Sequence, residues 1–348
     1  MSPDSSSHAL PWHQRARLRL DRACLLDHLR AAGTEGGLVD ARHRLVRLLL
    51  PDLVDDLLRL GTAGFLVDGQ GDYPRLPARA GTLVIGPHCT TDQALAAANR
   101  GALPVLGHQA EVYLLSALAQ QRQQPLPLLV RVKNPAEPAA DPGPTSLAAI
   151  LAAITNAPLV RFAGFFLDYP LTSVALAQRL ATSVARHPAP LPTHEPVRCV
   201  QTRQAANPPG YRPLPLVAPL ATLMDGVDPR ADRQPLVNPL TLEAWATPFA
   251  AIGRDLEVTL ELGRRCGLPD LAERPVLVGG VRGHIVETGP ELTRVRLDGR
   301  PTMPSPWPTT LIGAQGFEAI APTDWHLSHA EFALALERLA AHIPCTLT

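Results

Sequence analysis

The stretch "SLAAILAAITNAPLVRFAGFFLD", residues 146–168, joins two different hydrophobic patterns. Its first part, 146–158, repeats apolar residues at helical spacing and ends at a proline, where a helix typically stops. Its second part, 160–168, is a continuous apolar run with the length of a strand that is buried on both faces. A helix that leads directly into such a strand is half of a βαβ unit. The stretch therefore predicts a parallel sheet covered by helices.

The same alternation continues along the first two thirds of the chain. Apolar runs predict buried strands at 64–69, 81–87, 101–108 and 127–133. Helical spacing predicts helices at 52–61, 90–101 and 110–123. Repeated strand–helix units favour a parallel barrel or a doubly wound sheet.

The pattern changes after a proline-rich passage at 187–219. Short strands separated by turns are predicted at 256–263, 275–289 and 293–299, followed by a helix at 328–343 with Ser328 as its N-cap. A strand at 15–21 and a helix at 23–33 open the ordered chain. We therefore expect a disordered tail (1–14), an α/β domain (15–225) and a mainly-β domain (226–348).

Composition excludes several functional classes. The formal net charge is zero and the basic residues are spread along the chain, which disfavours a nucleic-acid or anionic-membrane partner. The first twenty residues lack the apolar core of a signal peptide, and no apolar stretch is long enough for a membrane span, so we expect a cytoplasmic protein. Five scattered cysteines argue against both a disulfide framework and a metal site.

Lysine is almost absent. Of 32 basic residues only Lys133, in "LVRVKNP" (129–135), is a lysine, which leaves 31 arginines. A GC-rich coding sequence explains a general preference for arginine, but it does not explain the loss of a lysine that a reaction requires.

Seven segments of the chain resemble, in the same order, segments of the alanine racemase family. The most specific, "TTLIGAQGFEAIAPTDWHLSHAEFALALERLAAHI" (309–343), is similar to the family's "VVLIGRQG...ITADELAELLGTI". The others are "RARLRLDRACLLDHLRA" (15–31), "GTAGFLV" (61–67), "LVRFAGFFLDYP" (159–170), "QAANPP" (204–209), "LVAPLATLMDG" (216–226) and "PVLVGGVRGHIV" (275–286). The resemblance implies a fold-type III architecture: an N-terminal (β/α)8 TIM-like barrel and a C-terminal mainly-β domain that includes the strand at 15–21. It also implies a homodimer, because the family completes each active site with a residue of the partner.

The family's two catalytic groups are replaced in this sequence. The resemblance places Arg42, in "VDARHRLVRLL" (39–49), where the family has the lysine that holds pyridoxal phosphate as a Schiff base. A guanidinium stays protonated and cannot condense with an aldehyde. The family's catalytic tyrosine corresponds to Arg264 in "ELGRRCG" (261–267), and the last tyrosine of the chain is Tyr211. Lys133 corresponds to a different family lysine, which lies near the substrate and does not form the aldimine.

The residues that hold the cofactor in the family are replaced as well. Its phosphate-binding serine corresponds to Pro208, which has no N–H donor. The remaining cofactor positions correspond to Asp168, Ala218, Leu220 and Cys345. The family's substrate-side "MDQ" falls near Glu291, Leu292 and Thr293.

Three functional hypotheses follow. The first is a pseudoenzyme without pyridoxal phosphate that has a binding or regulatory role, as a homodimer or as a heterodimer with a true racemase. The second is a binder of a small anion, with Arg42, Lys133, Asp168 and Arg264 around the former active-site pocket, although these charges would equally be able to pair with one another. The third is a divergent pyridoxal-phosphate racemase that forms its aldimine on Lys133.

Overall fold

The computed structural model describes residues 16–68, 81–86, 99–132, 146–167, 174–202, 207–219, 239–252, 255–315 and 318–348. The chain divides into two compact units. The barrel unit comprises Gly33–Arg42 and Leu50–Ala218, and the β unit comprises Met1–Ala32, His43–Leu49 and Pro219–Thr348. The expected tail (1–14) and the expected domain boundary at 225/226 lie outside the described residues.

Eight parallel strands close into a barrel in the barrel unit. After β1 (Arg17–Leu20), which belongs to the β unit, they are β2 (Leu38–Asp40), β3 (Gly64–Val67), β4 (Thr82–Ile85), β5 (Leu103–Leu106), β6 (Leu126–Val132), β7 (Val160–Leu167), β8 (Thr193–Thr202) and β9 (Arg212–Val217). The ring closes where β9 pairs with β2, at Leu216↔Leu38 and Val217↔Val39. The predicted parallel barrel is confirmed.

Alternating residues of these strands fill two separate apolar clusters, as the strand period of two requires. The inner cluster fills the lumen with Leu38, Leu66, Val84, Leu103, Val105, Leu129, Ala163, Phe166, Val200 and Leu214. The outer cluster packs the intervening strand residues against helices. The helices of the described chain are α1 (Arg22–Ala31), α2 (Arg44–Arg59), α3 (Gln109–Arg122), α4 (Leu147–Asn156), α5 (Val174–Ala185) and α6 (His329–His342). None of them is long and apolar enough to cross a membrane.

The β unit contains a nine-stranded sheet. Its later strands are β10 (Leu240–Ile252), β11 (Asp255–Leu260), β12 (Pro275–Val278), β13 (Val281–Thr288), β14 (Thr293–Leu297), β15 (Trp307–Gln315), β16 (Glu318–Ile320) and β17 (Cys345–Leu347). Strand β15 pairs with both β12 and β10, so six strands form a closed ring. The N-terminal strand β1 pairs antiparallel with β10 and parallel with β17. This pairing confirms the prediction that the strand at 15–21 joins the C-terminal domain.

The helix that closes the chain follows its sequence prediction. Ser328 caps α6, and a capping box joins Ser328 to Glu331. Ahead of the helix, the indole Nε1 of Trp325 donates to the carbonyl of Leu311 at 3.1 Å, and the Trp325 ring meets Phe332 edge-on at 5.9 Å. These contacts attach the C-terminal helix to strand β15.

Several elements differ from the sequence prediction. Helix α2 begins at Arg44 instead of residue 52, because Pro51 lies inside the helix and does not start it. Strand β2 is too short to produce a periodic pattern. Strands β8 and β9 lie within the proline-rich passage at 187–219. They carry prolines, which usually argue against a strand. Helix α5 and the long strand β10 were also not predicted.

Candidate site at the carboxyl end of the barrel

The alternation of the strands defines one layer of residues at the carboxyl end of the barrel. In each strand this layer lies two residues beyond a residue of the inner cluster. In β9 it lies two residues beyond Leu216, which packs against that cluster. We call it the mouth layer, and its described members are Asp40, Asp68, Gly86, Gly107, Arg131 and Ala218. Active sites of (β/α)8 proteins are built at this end of the barrel.

Arg42 is held at the mouth layer by Asp40. The guanidinium Nε donates to Asp40 Oδ1 at 3.0 Å, and Nη2 donates to Oδ2 at 2.8 Å. The backbone N–H of Arg42 donates to the same carboxylate at 3.1 Å. This is a two-point arginine–carboxylate pair, the geometry in which such pairs are strongest. The Asp40 side chain is 16% exposed and that of Arg42 is 36% exposed, so solvent screens the pair only in part.

The Arg42 side chain also reaches other strands of the barrel. A Cβ atom added at Gly86, after β4, would lie 3.5 Å from Arg42 Cδ, so the Arg42 side chain lies within van der Waals distance of this position. The Arg42 Cζ atom lies 6.0 Å from the centroid of the Phe166 ring on β7, within cation–π range. Arg42 therefore extends from the end of β2 past β4 towards β7.

Arg131 occupies the mouth layer in a similar way. A Cβ atom added at the neighbouring Gly107 would lie 3.8 Å from Arg131 Cδ. Among the described residues, the mouth therefore carries two acidic groups, Asp40 and Asp68, and two basic ones, Arg42 and Arg131. Two other predicted pocket residues, Lys133 and Asp168, directly follow β6 and β7 in sequence but lie outside the described residues.

The segment matched to the family's phosphate site forms a tight turn. The backbone N–H of Tyr211 and the side-chain amide of Asn207 both donate to the carbonyl of Pro208, at 3.2 Å each. The Tyr211 ring stacks on Phe165 at 5.3 Å, on the outer face of the barrel. Burial raises the pKa of the Tyr211 phenol, so it stays protonated at neutral pH. Pro208 is buried, and its carbonyl oxygen already accepts these two hydrogen bonds.

Ala218, matched to the family's pyridine-nitrogen arginine, follows β9 and lies one residue beyond the Val39–Val217 pair. Its methyl group offers no hydrogen bond. The second position of that segment, Leu220, lies outside the described residues.

The other two predicted positions belong to the β unit. Arg264 is exposed in a 3-10 turn, where its backbone N–H donates to the carbonyl of Gly289 at 2.9 Å. The next residue, Arg265, pairs with Glu291. Burial raises the pKa of the Cys345 thiol to about 11, although the charge of Arg44 opposes the rise. At neutral pH Cys345 is therefore a neutral thiol.

Sequence reasoning missed Asp40, Asp68 and Arg131. The strand alternation in the sequence could have indicated these three residues. Each lies two residues beyond a buried strand residue and so faces the lumen at the carboxyl end. Within the described ranges, no three His, Cys, Asp or Glu side chains are grouped as a metal site would require. In the same part of the chain Cys24, Cys199, Cys266 and Cys345 are free thiols.

Comparison with known proteins relates this chain to others through its fold. No protein-family model matches it, and no curated protein sequence matches it. Among solved structures, alanine racemase from Streptomyces coelicolor A3(2) superimposes with a TM-score of 0.73 at 16% identity, over 96% of this chain and 98% of that one. Histidine racemase from Leuconostoc mesenteroides subsp. sake gives 0.70 at 15% identity, over 97% and 98%. Alanine racemase from Bartonella henselae, solved with covalently bound pyridoxal phosphate, gives 0.66 at 15% identity, over 96% and 99%. The chain therefore has the fold of these amino-acid racemases over nearly its whole length: a parallel barrel with a separate β domain.

Proposed function

We propose that this chain is an alanine racemase-like pseudoenzyme that does not hold pyridoxal phosphate and that acts by binding or regulation. One observation carries the proposal: the two-point Asp40–Arg42 pair at the barrel mouth, where the resemblance expects the Schiff-base lysine. An arginine engaged in this way cannot condense with an aldehyde. The only side-chain amine left for an aldimine is Lys133, the single lysine of the chain.

The residues matched to the cofactor site do not fit pyridoxal phosphate. A phosphate needs N–H or hydroxyl donors, whereas Pro208 has no N–H and its carbonyl already accepts two hydrogen bonds. A pyridine nitrogen needs a polar partner, whereas Ala218 offers a methyl group. The Arg42 side chain also lies near Gly86 and the ring of Phe166 at the mouth.

The fold does not depend on the lost groups. The inner cluster that fills the lumen consists of apolar residues, and each of them is buried. Loss of cofactor chemistry therefore leaves a stable scaffold available for interaction. We expect a homodimer, and we propose a heterodimer with a true racemase as the regulatory form.

The deciding experiment is the visible absorbance spectrum of the protein expressed with pyridoxine. We expect no aldimine band, no borohydride-trapped adduct and no racemisation of alanine or histidine. The matched control is Lys133→Arg, which keeps the charge and removes the amine. A coloured protein that racemises alanine, with a trapped adduct on Lys133 that the control loses, would overturn the proposal and support a divergent racemase.

Two further measurements separate the partner and ligand hypotheses. Light scattering of the purified protein gives the mass of the self-association state. Co-purification from the native host tests the heterodimer, and recovery of the self-dimer alone counts against it. The hypothesis of an anion pocket at the mouth has less support, because Asp40 already engages two donors of Arg42 and the described charges there are balanced. Thermal shifts with amino acids, keto acids and nucleotides test that alternative.

A further inference from the structure

The amino end of the barrel carries two arginines on neighbouring strands. Arg198 on β8 and Arg212 on β9 are register partners, so their Cα atoms lie side by side in the parallel ladder. Both point towards the lumen: Val197 and Cys199 pack on the outer cluster, and Val200 packs on the inner one. The same alternation holds on β9, where Tyr211 packs outside and Leu214 inside. Two positive charges thus share one face of the barrel.

This arrangement is unfavourable for the protein alone. Like charges placed directly opposite each other on neighbouring strands destabilise a sheet. Arg198 is half-buried, and its pKa is lowered first by burial and second by the charge of Arg212. Among the described residues, no carboxylate lies within ion-pair distance of either guanidinium, whereas Arg42, Arg294 and Arg296 each have a carboxylate partner.

On one side Arg198 is bordered by backbone without a neighbouring side chain. The position next to Arg198 on β7 is Gly164, which contributes no side chain. A Cβ atom there would lie 1.8 Å from the Arg198 carbonyl oxygen, so the close approach of β7 and β8 requires glycine. The next lumen layer consists of the buried Val200 and Leu214, whereas Arg212 is exposed, so an ion from solution can reach its guanidinium.

We propose that Arg198 and Arg212 form a phosphate-binding site at the amino end of the barrel, opposite the mouth layer. Two guanidinium groups supply two positive charges and paired N–H donors, which match a phosphate dianion better than a single carboxylate. The phosphate is either the free ion or the phosphoryl group of a small metabolite. This proposed phosphate site does not depend on whether the chain binds pyridoxal phosphate.

The test measures binding of inorganic phosphate to the full chain by calorimetry, with ionic strength held constant by sodium chloride. Arg198→Gln and Arg212→Gln should each weaken binding by about tenfold or more, the usual effect of losing hydrogen bonds to a charged group. The matched control is Arg186→Gln, an exposed arginine of the same unit that should bind like the unaltered protein. Titration with methyl phosphate identifies the source: tighter binding than inorganic phosphate indicates a phosphorylated metabolite, and weaker binding indicates the free ion.

Thermal melting provides a second readout, because it measures the stability of the protein with and without phosphate. Without phosphate, Arg212→Gln should melt at the same temperature as the unaltered protein or higher, because a like-charge contact is relieved. With phosphate, the unaltered protein should gain stability that Arg212→Gln does not gain. The proposal is overturned if phosphate neither binds nor stabilises the unaltered protein beyond chloride, or if both glutamine variants bind phosphate undiminished.

Discussion

The Asp40–Arg42 pair can be tested by a double-mutant cycle. Asp40→Asn keeps the shape of the side chain and an oxygen for the Arg42 backbone N–H, but it removes the charge that holds the guanidinium. Hydrogen bonds to charged groups contribute about 1.5–3 kcal/mol each, and exposed ion pairs contribute less than about 1 kcal/mol. The structure shows two side-chain bonds, with Asp40 mostly buried and Arg42 about a third exposed. We therefore expect Asp40→Asn to lower the free energy of unfolding by about 2 kcal/mol.

Arg42→Met completes the cycle by removing the partner while keeping a side chain of similar length. If the two groups act on each other, the double variant should lose less stability than the sum of the single variants, with a coupling energy of about 1–2 kcal/mol. Urea unfolding should be followed by far-ultraviolet circular dichroism, because the chain has no tryptophan between residues 33 and 218 and its fluorescence reports on the β unit. A coupling energy below about 0.5 kcal/mol would mean that Asp40 does not hold Arg42, and the argument that this pair occupies the barrel mouth would fail.

Four further predictions concern contacts inside each of the two units. Arg296→Met should lower the free energy of unfolding by about 3 kcal/mol in fluorescence-monitored urea unfolding, because it leaves the 5%-exposed Glu257 carboxylate without the guanidinium bond at 2.9 Å. Ser328→Ala should cost about 1 kcal/mol through loss of the helix cap. The Ser328 hydrogen bonds lower the pKa of Glu331 below its ordinary value, so their stabilisation is present above the ordinary pKa and is lost as the pH falls through the lowered pKa. Glu331→Gln should remove this acid dependence of the melting temperature. Burial raises the pKa of the Cys199 thiol to about 12, so iodoacetamide at neutral pH should modify it only after unfolding, as mass spectrometry of the peptides would show.

Two controls separate these effects from general damage. Arg294→Met removes a similar arginine from an exposed pair with Glu287 and should cost less than about 1 kcal/mol. If it costs as much as Arg296→Met, burial of Glu257 is not the cause of the larger loss. Modification of Cys199 in the native protein at the rate of an exposed thiol would contradict the burial of the outer cluster at that position.

The sequence determined the class of the fold because apolar burial leaves a periodic record. The five predicted barrel strands appear where continuous apolar runs stood, since strands covered on both sides need apolar residues at every position. The sequence of the strands that were not predicted lacks a continuous apolar run. Strand β2 has three residues, and Pro213 and Pro215 in β9 break the usual strand composition, so only pairing with β2 and β8 makes that segment a strand.

The sequence also determined that Lys133 is the only amine side chain able to form an aldimine, because that follows from counting. Only the tertiary structure decided which charges meet. Asp40, Gly86 and Phe166 are far apart in the chain, and they surround Arg42 because parallel strands of a closed barrel bring their carboxyl ends to one rim. In the same way, Arg198 and Arg212 are neighbours because of the register between strands β8 and β9. That register is set by the pairing of the whole barrel and is not encoded in either segment alone.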